Sequence, residues 1–389
     1  MAENKDKKVL NVPNLRFPEF EGEWEEHYLS DYLDFKNGLN PKPERFGKGI
    51  KFISVMDILN NAVITNDCIR ASVDVSEEEL LSFCVENGDI LFQRSSETLE
   101  DVGRANVYMD NKPAVFGGFV IRGKKKAEYD PLFFRYLLAS PFARKKIIPM
   151  GAGAQHFNIG QEGLNKVKLH FALLDEQKKI ARLLSLLDER IATQNKIIED
   201  LKKLKSAISK KLLDNDRWTT YKIQDIAKIG RGRVISSVEI ERQKHPLYPV
   251  YSSQTSNDGI MGYLDDYMFD GEYITWTTDG ANAGTVFYRK GKFNCTNICG
   301  TLKIQPKYDC YFVSLVLQQA TQKYVSFNLA NPKLMNNIMA SIKIKMPDIE
   351  MQKQLSKIFQ TLDSCLLVHQ RTCDMYSREK QYLLCQMFI

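Results

Sequence analysis

The sequence predicts an α+β protein: two tandem modules of mixed helix and strand, joined by two long helices that form an antiparallel coiled coil. Three observations predict this. The chain repeats itself, each copy places short strand-like segments between turn residues, and each copy ends in a long amphipathic segment. The two long segments also share one register of apolar positions. A chain of 389 residues is long for one domain and comfortable for two, each able to bury its own core.

The repeat begins at a tryptophan. Trp24-Glu25-Glu26-His27-Tyr28-Leu29-Ser30-Asp31 through Gly38 lines up with Trp218-Thr219-Thr220-Tyr221-Lys222-Ile223-Gln224-Asp225 through Gly232, at an offset of 194. Farther on, Gly88-Asp89-Ile90-Leu91-Phe92 resembles Gly271-Glu272-Tyr273-Ile274-Thr275 at an offset of 183. Each reads as an acidic turn followed by a strand, and the change of offset means that the modules differ in loop length. A helix follows in each copy, from Asp130-Pro131 in the first and over Asp309 to Tyr324 in the second. Asp before Pro supplies an N-cap and a favourable first helical residue. From Phe157-Asn158-Ile159 and Pro332-Lys333-Leu334 onward the offset is a steady 175, with short strands expected at Val167 to Leu169 and Ile342 to Ile344.

The long helices are expected from about Asp175 to Leu213 and from about Ile349 to Phe388. Apolar steps of three and four in the first run through Leu184, Leu187, Ile191, Ile198, Leu201, Ile208 and Leu212, interrupted by Gln194 and Lys205. The positions 175 residues later are Phe359, Leu362, Leu366, Cys373, Tyr376, Leu383 and Met387, interrupted at the same two places by His369 and Lys380. An apolar repeat near 3.5 residues is a coiled-coil seam, and two such helices in one chain supply both strands. A helix of about 38 residues is roughly 57 Å long, which overruns the face of one module. The polar pairs at the seam then help to set register. The second helix is the less regular, with Cys365, His369, Cys373 and Tyr376 in or near its seam. The expected organisation is an N-terminal arm over 1–20, a first module over 21–173, a central helix over 174–215, a second module over 216–347 and a C-terminal helix over 348–389.

Composition narrows the function. Hydrophobic residues make up 43% and charged residues 26%, as in a soluble globular protein, and no apolar run approaches the length needed to cross a bilayer. No membrane role is expected. The polar start, Met1 to Lys8, has no apolar core or small-residue cleavage site, so a cytoplasmic protein is expected. The eight cysteines, Cys68, Cys84, Cys295, Cys299, Cys310, Cys365, Cys373 and Cys385, contain no Cys-x-x-Cys pair and read as buried free thiols. A net charge of +6 is compatible with nucleic acid without requiring it.

Catalytic signatures are missing. Gly47-Lys48 is followed by Gly49 and Gly291-Lys292 by Phe293, so neither is a phosphate loop, and ATP hydrolysis is not expected. His27, His156, His170, His245 and His369 are scattered without a His-Glu-x-x-His pair, which disfavours zinc catalysis. Asn331-Pro332-Lys333-Leu334 lacks the second proline and the aromatic residue of an amino-methyltransferase motif. Asp348 and Glu350 are crowded at a helix start, where acids complement the helix dipole. No catalytic residue and no metal ligand is assigned.

What each module does carry is basic and polar side chains near turns, the types that reach phosphates and base edges. In the first, Lys42, Arg45, Lys48 and Lys51 surround a Gly/Pro-rich stretch, and Gln93, Arg94, Ser95 and Ser96 follow a predicted strand. Arg104 adds a further cation, and Gln155, His156 and Asn158 follow the flexible Gly151 to Ala154. In the second, Arg231, Arg233, Tyr251, Ser253, Gln254, Thr275, Trp276, Thr277, Thr278, Asn282 and Lys333 take comparable places.

The opening Leu15-Arg16-Phe17-Pro18-Glu19-Phe20-Glu21-Gly22-Glu23-Trp24 resembles the specificity subunit of type I restriction-modification enzymes, its staphylococcal members most. So do Leu174-Asp175-Glu176-Gln177-Lys178-Lys179-Ile180 with Leu187-Asp188, the echo Ile349-Glu350-Met351-Gln352-Lys353-Gln354-Leu355 with Leu362-Asp363, and the ending Leu384-Cys385-Gln386-Met387-Phe388. The resemblance covers essentially the whole chain. It implies a non-catalytic reader of double-stranded DNA with two target-recognition domains, each addressing one half of an asymmetric bipartite site, and with the long helices as spacer. It further implies two methyltransferase subunits that bring S-adenosylmethionine, and restriction/translocase subunits that use ATP and magnesium, with no cofactor on this chain. Two pseudo-symmetric modules would suit half-sites about one helical turn, roughly 34 Å, apart. The competing expectation is a duplicated scaffold for protein partners without DNA reading. Salt separates the two, because binding to duplex DNA falls steeply as salt rises.

Overall fold

The computed structural model describes residues 10–213, 216–254, 256–326 and 331–389; parts of the expected arm (1–9) and the end of the expected central helix (214–215) lie outside them. The chain forms two compact units, one of residues 1–196 with 370–389 and one of residues 197–369. Each long helix is therefore shared, its two parts belonging to different units.

The first unit runs β1 (Glu25–Tyr28), α1 (Leu29–Tyr32), β2 (Leu33–Asn37), β3 (Phe46–Ile53), α2 (Val55–Asn60), β4 (Ser72–Val73), α3 (Glu77–Phe83), β5 (Ile90–Gln93), β6 (Ser95–Ser96), β7 (Ala105–Val107), β8 (Ala114–Phe116) and β9 (Val120–Lys125). It continues with α4 (Pro131–Ala139), α5 (Pro141–Ile147), β10 (Phe157–Asn158), α6 (Gln161–Asn165), β11 (Lys168–Phe171) and the start of α7 (Leu174–Leu212). A four-stranded antiparallel sheet has the order β2-β9-β5-β7, and a three-stranded sheet has the order β4-β3-β8.

The second unit repeats this plan with β12 (Thr219–Lys222), α8 (Ile223–Ile226), β13 (Ala227–Arg231), α9 (Ser237–Glu241), β14 (Tyr248–Tyr251), β15 (Ile260–Leu264), β16 (Glu272–Thr277), β17 (Val286–Lys290), β18 (Asn294–Cys295) and β19 (Cys299–Ile304). Then come α10 (Cys310–Ala320), α11 (Asn336–Ser341), β20 (Lys343–Met346) and α12 (Ile349–Gln386). Its sheets are β13-β19-β16-β17 and β15-β14-β18. The predicted short strands are present one residue later than expected, as β11 and β20, and pair with β1 and β12.

The repeated residues recur because they do the same work twice. Trp24 meets Phe133 edge-on at 5.9 Å, and Trp218 meets Phe312 edge-on at 5.8 Å. A Cβ on Gly38 would lie 2.0 Å from the carbonyl oxygen of Gly117, and one on Gly232 would lie 2.1 Å from that of Cys295, so only glycine permits the close approach of backbones. The central strands correct the sequence alignment. Ile90 pairs with Gly123 as Ile274 pairs with Leu302, which makes the offset 184 rather than 183. A slip of one residue would turn each side chain to the other face. In the true register Phe92 and Trp276 occupy one core position, facing Ile121 and Gly300 across the ladder. The larger ring is accommodated by the smaller neighbour, as close packing requires.

Asp130 caps α4 by accepting from the Phe133 amide at 2.8 Å, and Asp309 caps α10 from the Phe312 amide at 2.7 Å. Each cap is tied to a long helix by a buried glutamine. Gln177 Oε1 accepts from the Asp130 amide (3.0 Å) while its Nε2 donates to the Ala172 carbonyl (2.8 Å). Gln352 does the same with Asp309 (3.0 Å) and Pro347 (2.8 Å). The paired Gln-Lys openings are thus a clasp between each long helix and its module core.

Every apolar seam residue predicted on the two helices is buried or half-buried. Within the first unit Asp188 faces Lys380 and Asn195 faces Cys373; within the second Lys205 faces Asp363. Within the first unit, position numbers rise along α7 as they fall along α12, so the helices run antiparallel. The seam lysines are more than polar interruptions, because each binds an aspartate of the opposite helix. The ends of the seam also dock: Leu184, Leu187, Leu383 and Met387 complete the first core, and Phe359 with Leu362, Ile208 and Leu212 the second. The second helix runs unbroken over Ile349–Gln386 despite its cysteines. The thiols are all free, but only Cys295, Cys299 and Cys310 are buried and Cys365 is exposed, which corrects the expectation of a buried set: Cys365 sits on the exposed side of α12, between the exposed Ser364 and Leu367. No described helix is long and apolar enough to cross a membrane.

Candidate nucleic-acid interface

The four-stranded sheet of each unit ends in a corner where three chain segments meet. In the first, Arg94 follows β5; its amide donates to the Phe119 carbonyl (2.9 Å), and its own carbonyl accepts from the Ile159 amide (2.9 Å). In the second, Thr278 follows β16 and makes the matching bonds to Ile298 (2.9 Å) and Leu334 (2.8 Å). Next to them β6 pairs Ser95 with Asn158, and an isolated bridge pairs Asp279 with Lys333. The backbones of the two corners are therefore equivalent residue by residue.

Their side chains are not. In the first corner Arg94 Nη1 donates to the Gly118 carbonyl at 3.3 Å. In the second the equivalent carbonyl, that of Asn297, is reached by Arg231 Nε at 2.5 Å. The same carbonyl is held by an arginine from the end of β5 in one module and from the end of β13 in the other. Arg231 Nη2 also binds Thr278 Oγ1 (2.9 Å) and Asp279 Oδ2 (3.3 Å), and Lys333 lies 3.7 Å from Asp279. In the first corner Ser95 Oγ binds Asn158 Oδ1, and Gln155, His156 and Asn158 are exposed.

Beneath both corners lies the same irregularity. Gln93 and Thr277, equivalent residues at the ends of β5 and β16, are both buried, and the Gln93 Oε1 and Thr277 Oγ1 atoms have no hydrogen-bond partner. Such orphaned atoms are uncommon in folded proteins. Phe119, 68% exposed on the turn that Arg94 holds, was not singled out from the sequence; a phenylalanine after Gly117-Gly118 is the signal that was there.

The remaining predicted residues divide by what they touch. Thr275, Trp276, Thr277 and Thr278 are buried and so do not stand on an open turn: they lie on or at the end of a strand paired on both sides, and Trp276 Nε1 donates to the Leu334 carbonyl at 2.9 Å. Gln93 is likewise buried, with Nε2 bound to the Ser95 carbonyl at 2.9 Å. Arg45 is committed to Glu79 (Nη1 to Oε1, 3.0 Å) and to the Asp74 carbonyl (2.8 Å); its guanidinium holds the Glu79 carboxyl down to about 2. Arg233 is committed to Glu239 (3.0 Å), and Lys51 to the Ile69 carbonyl (2.7 Å). Lys42 is exposed, Lys48 lies 3.1 Å from Asp74, and Arg104 lies 2.6 Å from Asp101. Ser96 accepts from the Thr98 amide (3.2 Å).

A second polar group gathers around the loop after β14. Tyr251 lies under the buried Arg289 guanidinium, 3.6 Å from its ring centroid, and Arg289 binds Asp258 at 2.7 Å. Asn282 donates to the Ser253 carbonyl (3.2 Å), and Gln254 Nε2 to the Ile260 carbonyl (2.5 Å). Burial raises the Tyr251 hydroxyl above the usual tyrosine range. Among the described residues no three His, Cys, Asp or Glu side chains converge as metal ligands.

The corners, rich in arginine, hydroxyl and amide groups on a duplicated frame, accord with a family comparison. The model of the type I restriction modification DNA specificity domain matches residues 21–203 and 215–373. The chain belongs to that family. A putative type I specificity subunit of Mycoplasma pneumoniae is 36% identical over 236 residues, 58% of this chain and 95% of that protein. The specificity subunit of the type I restriction enzyme MpnII from the same organism is 39% identical over 178 residues, 45% of this chain and 53% of that protein. The crystal structure of a type I restriction-modification S subunit from M. genitalium has the same fold, with a TM-score of 0.69 over 97% of this chain and 99% of that one, at 17% identity. As a type I specificity chain, this protein carries the family domain twice, once in each half.

Proposed function

We propose that this chain is the DNA-reading subunit of a type I restriction-modification complex, each module addressing one half of an asymmetric bipartite duplex site. The observation that carries the reading is the corner built twice on equivalent backbone and filled with different hydrogen-bonding side chains. Equivalent frames allow both modules to meet duplex DNA in the same way, and different side chains make the two half-sites different in sequence. The long helices serve as spacer and as the scaffold on which two methyltransferase subunits and the restriction/translocase subunits assemble. The chain is non-catalytic in this reading; S-adenosylmethionine, ATP and magnesium belong to the partner subunits.

Methylation mapping in cells that express this chain with its methyltransferase tests the reading. The expected result is one bipartite motif, of which one half changes when residues 1–170 are exchanged for those of a relative. A change in both halves contradicts the assignment of one half-site per module. Duplex binding by the assembled complex that is flat with salt leaves only the protein-scaffold function, since phosphate contacts release counterions.

A further inference from the structure

We propose that Arg94 reads a guanine in the half-site of the first module, a step that rests on the DNA reading above. The Arg94 backbone is fixed on both sides, by Phe119 and by Ile159, so the side chain starts from a rigid point. Its Nη1 bond to the Gly118 carbonyl at 3.3 Å then sets the plane of the guanidinium. Among the described residues nothing engages Nε or Nη2, and neither is a buried orphan. These two N–H groups lie side by side and point the same way, the geometry that meets the paired O6 and N7 acceptors of guanine in the major groove.

The second module shows what the alternative looks like. There Arg231 spends Nε on the Asn297 carbonyl and Nη2 on Thr278 and Asp279. Only Nη1 is left, and its two N–H groups diverge from a single nitrogen, so they cannot meet the O6 and N7 pair as a parallel fork. The two corners hold the same carbonyl with an arginine, yet only the first presents a two-donor edge. Phe119, exposed on the same turn, adds an apolar side chain to the corner. Gln93 behind it, with its unpartnered oxygen, braces the Ser95 carbonyl at 2.9 Å.

The test uses the chain assembled with its methyltransferase partner and duplexes carrying the site found by methylation mapping. Each G·C pair of the first half-site is replaced in turn by A·T, and binding is compared for the wild type, Arg94→Gln and Arg94→Lys. Wild type should lose about 5- to 150-fold at one guanine. Arg94→Gln should lose that discrimination and keep every other preference, including those of the second half-site. Arg94→Lys retains the charge and a donor for Gly118 but not the planar paired edge, so a fold that tolerates it should still bind with wild-type salt dependence and discriminate guanine at that position less than wild type, though more than Arg94→Gln, because a lysine can itself donate to O6 and N7. Three results overturn the proposal: a first half-site with no guanine on either strand, unchanged discrimination in both variants, or a uniform loss on all sequences with a salt slope smaller by about one, which marks a phosphate contact. Absence of salt-dependent duplex binding by the wild-type complex is a separate outcome and sinks the DNA reading itself.

Discussion

In the first module the corner arginine comes from the end of β5 and has no bond to a carboxylate among the described residues; in the second it comes from the end of β13 and is held by Asp279. The carbonyls that receive them, Gly118 and Asn297, are equivalent, and so are the backbone bonds on either side. The difference teaches how such a protein can diverge. Strands β2 and β5 flank β9, as β13 and β16 flank β19, and their ends reach one place, so a functional side chain can be delivered from either without moving the frame, and a recognition surface can change while the fold does not. The cores behave in the same manner: Phe92 against Ile121 and Trp276 against Gly300 exchange volume across one ladder.

The largest contrast between the modules outside the corners is the N-terminal arm. Arg16 forms a two-pronged bond with Glu176, 2.8 Å on each side, and the Glu176 side chain is fully buried. The residue that corresponds to Glu176 in the second module is Met351, which is exposed. Arg16→Ala leaves a buried carboxylate without its cation and should cost about 3–5 kcal/mol, read as a lower denaturant midpoint of the full chain. Met351→Ala should change stability by less than about 0.5 kcal/mol. Equal effects would mean that the arm is not a structural part of the first module.

The glutamine clasps should behave alike in both. Gln177→Ala and Gln352→Ala each remove two hydrogen bonds and leave the amide of Asp130 or Asp309 unpaired, a cost of about 1–3 kcal/mol. A large loss at one site and none at the other would break the equivalence on which the comparison rests.

The helix pair is sharpened by acid. Burial alone would raise the Asp188 carboxyl, but Lys380, Tyr136 and Arg135 outweigh it and hold it below the usual aspartate range. A carboxyl whose folded value lies below its unfolded value, about 3.9, contributes its full stability above that pH and loses it as pH falls through the lower folded value. Urea titrations should therefore show the chain weakening below about pH 4, and Asp188→Asn should flatten that part of the curve. An unchanged slope in the variant would assign the acid sensitivity elsewhere.

Much of the frame was legible because it is local. A tryptophan, a glycine and a capping aspartate repeat at fixed distances, and the seam residues repeat at helical spacing, so architecture and helix pairing could be read without coordinates. The failures have physical causes. Gly88-Asp89 and Gly271-Glu272 match in chemistry, yet the ladder aligns Ile90 with Ile274, because a loop absorbs the extra residue. Thr275 to Thr278 look like surface residues by type, but a strand paired on both sides buries them. The corner itself was only half visible: the ladder register sets Arg94 opposite Thr278, whereas the guanidinium that takes its place is that of Arg231, from another strand.

The smallest expected effect tests that last point most directly. Asp279 restrains both Arg231 (3.3 Å) and Lys333 (3.7 Å) and accepts from Thr278 Oγ1 at 2.7 Å. Asp279→Asn keeps an acceptor for the hydroxyl and removes the charge, so the corner of the second module comes to resemble the first, with cations that no carboxylate holds. Partly exposed pairs of this kind are worth about 0.2–1 kcal/mol, so duplex affinity of the assembled complex at low salt should rise by up to about five-fold, with a steeper fall as salt increases. Preference within the first half-site should not move. A fall in affinity would mean that Asp279 itself touches a base, as an acceptor for a cytosine amino group, and that the two corners differ in what they read as well as in how firmly their arginines are held.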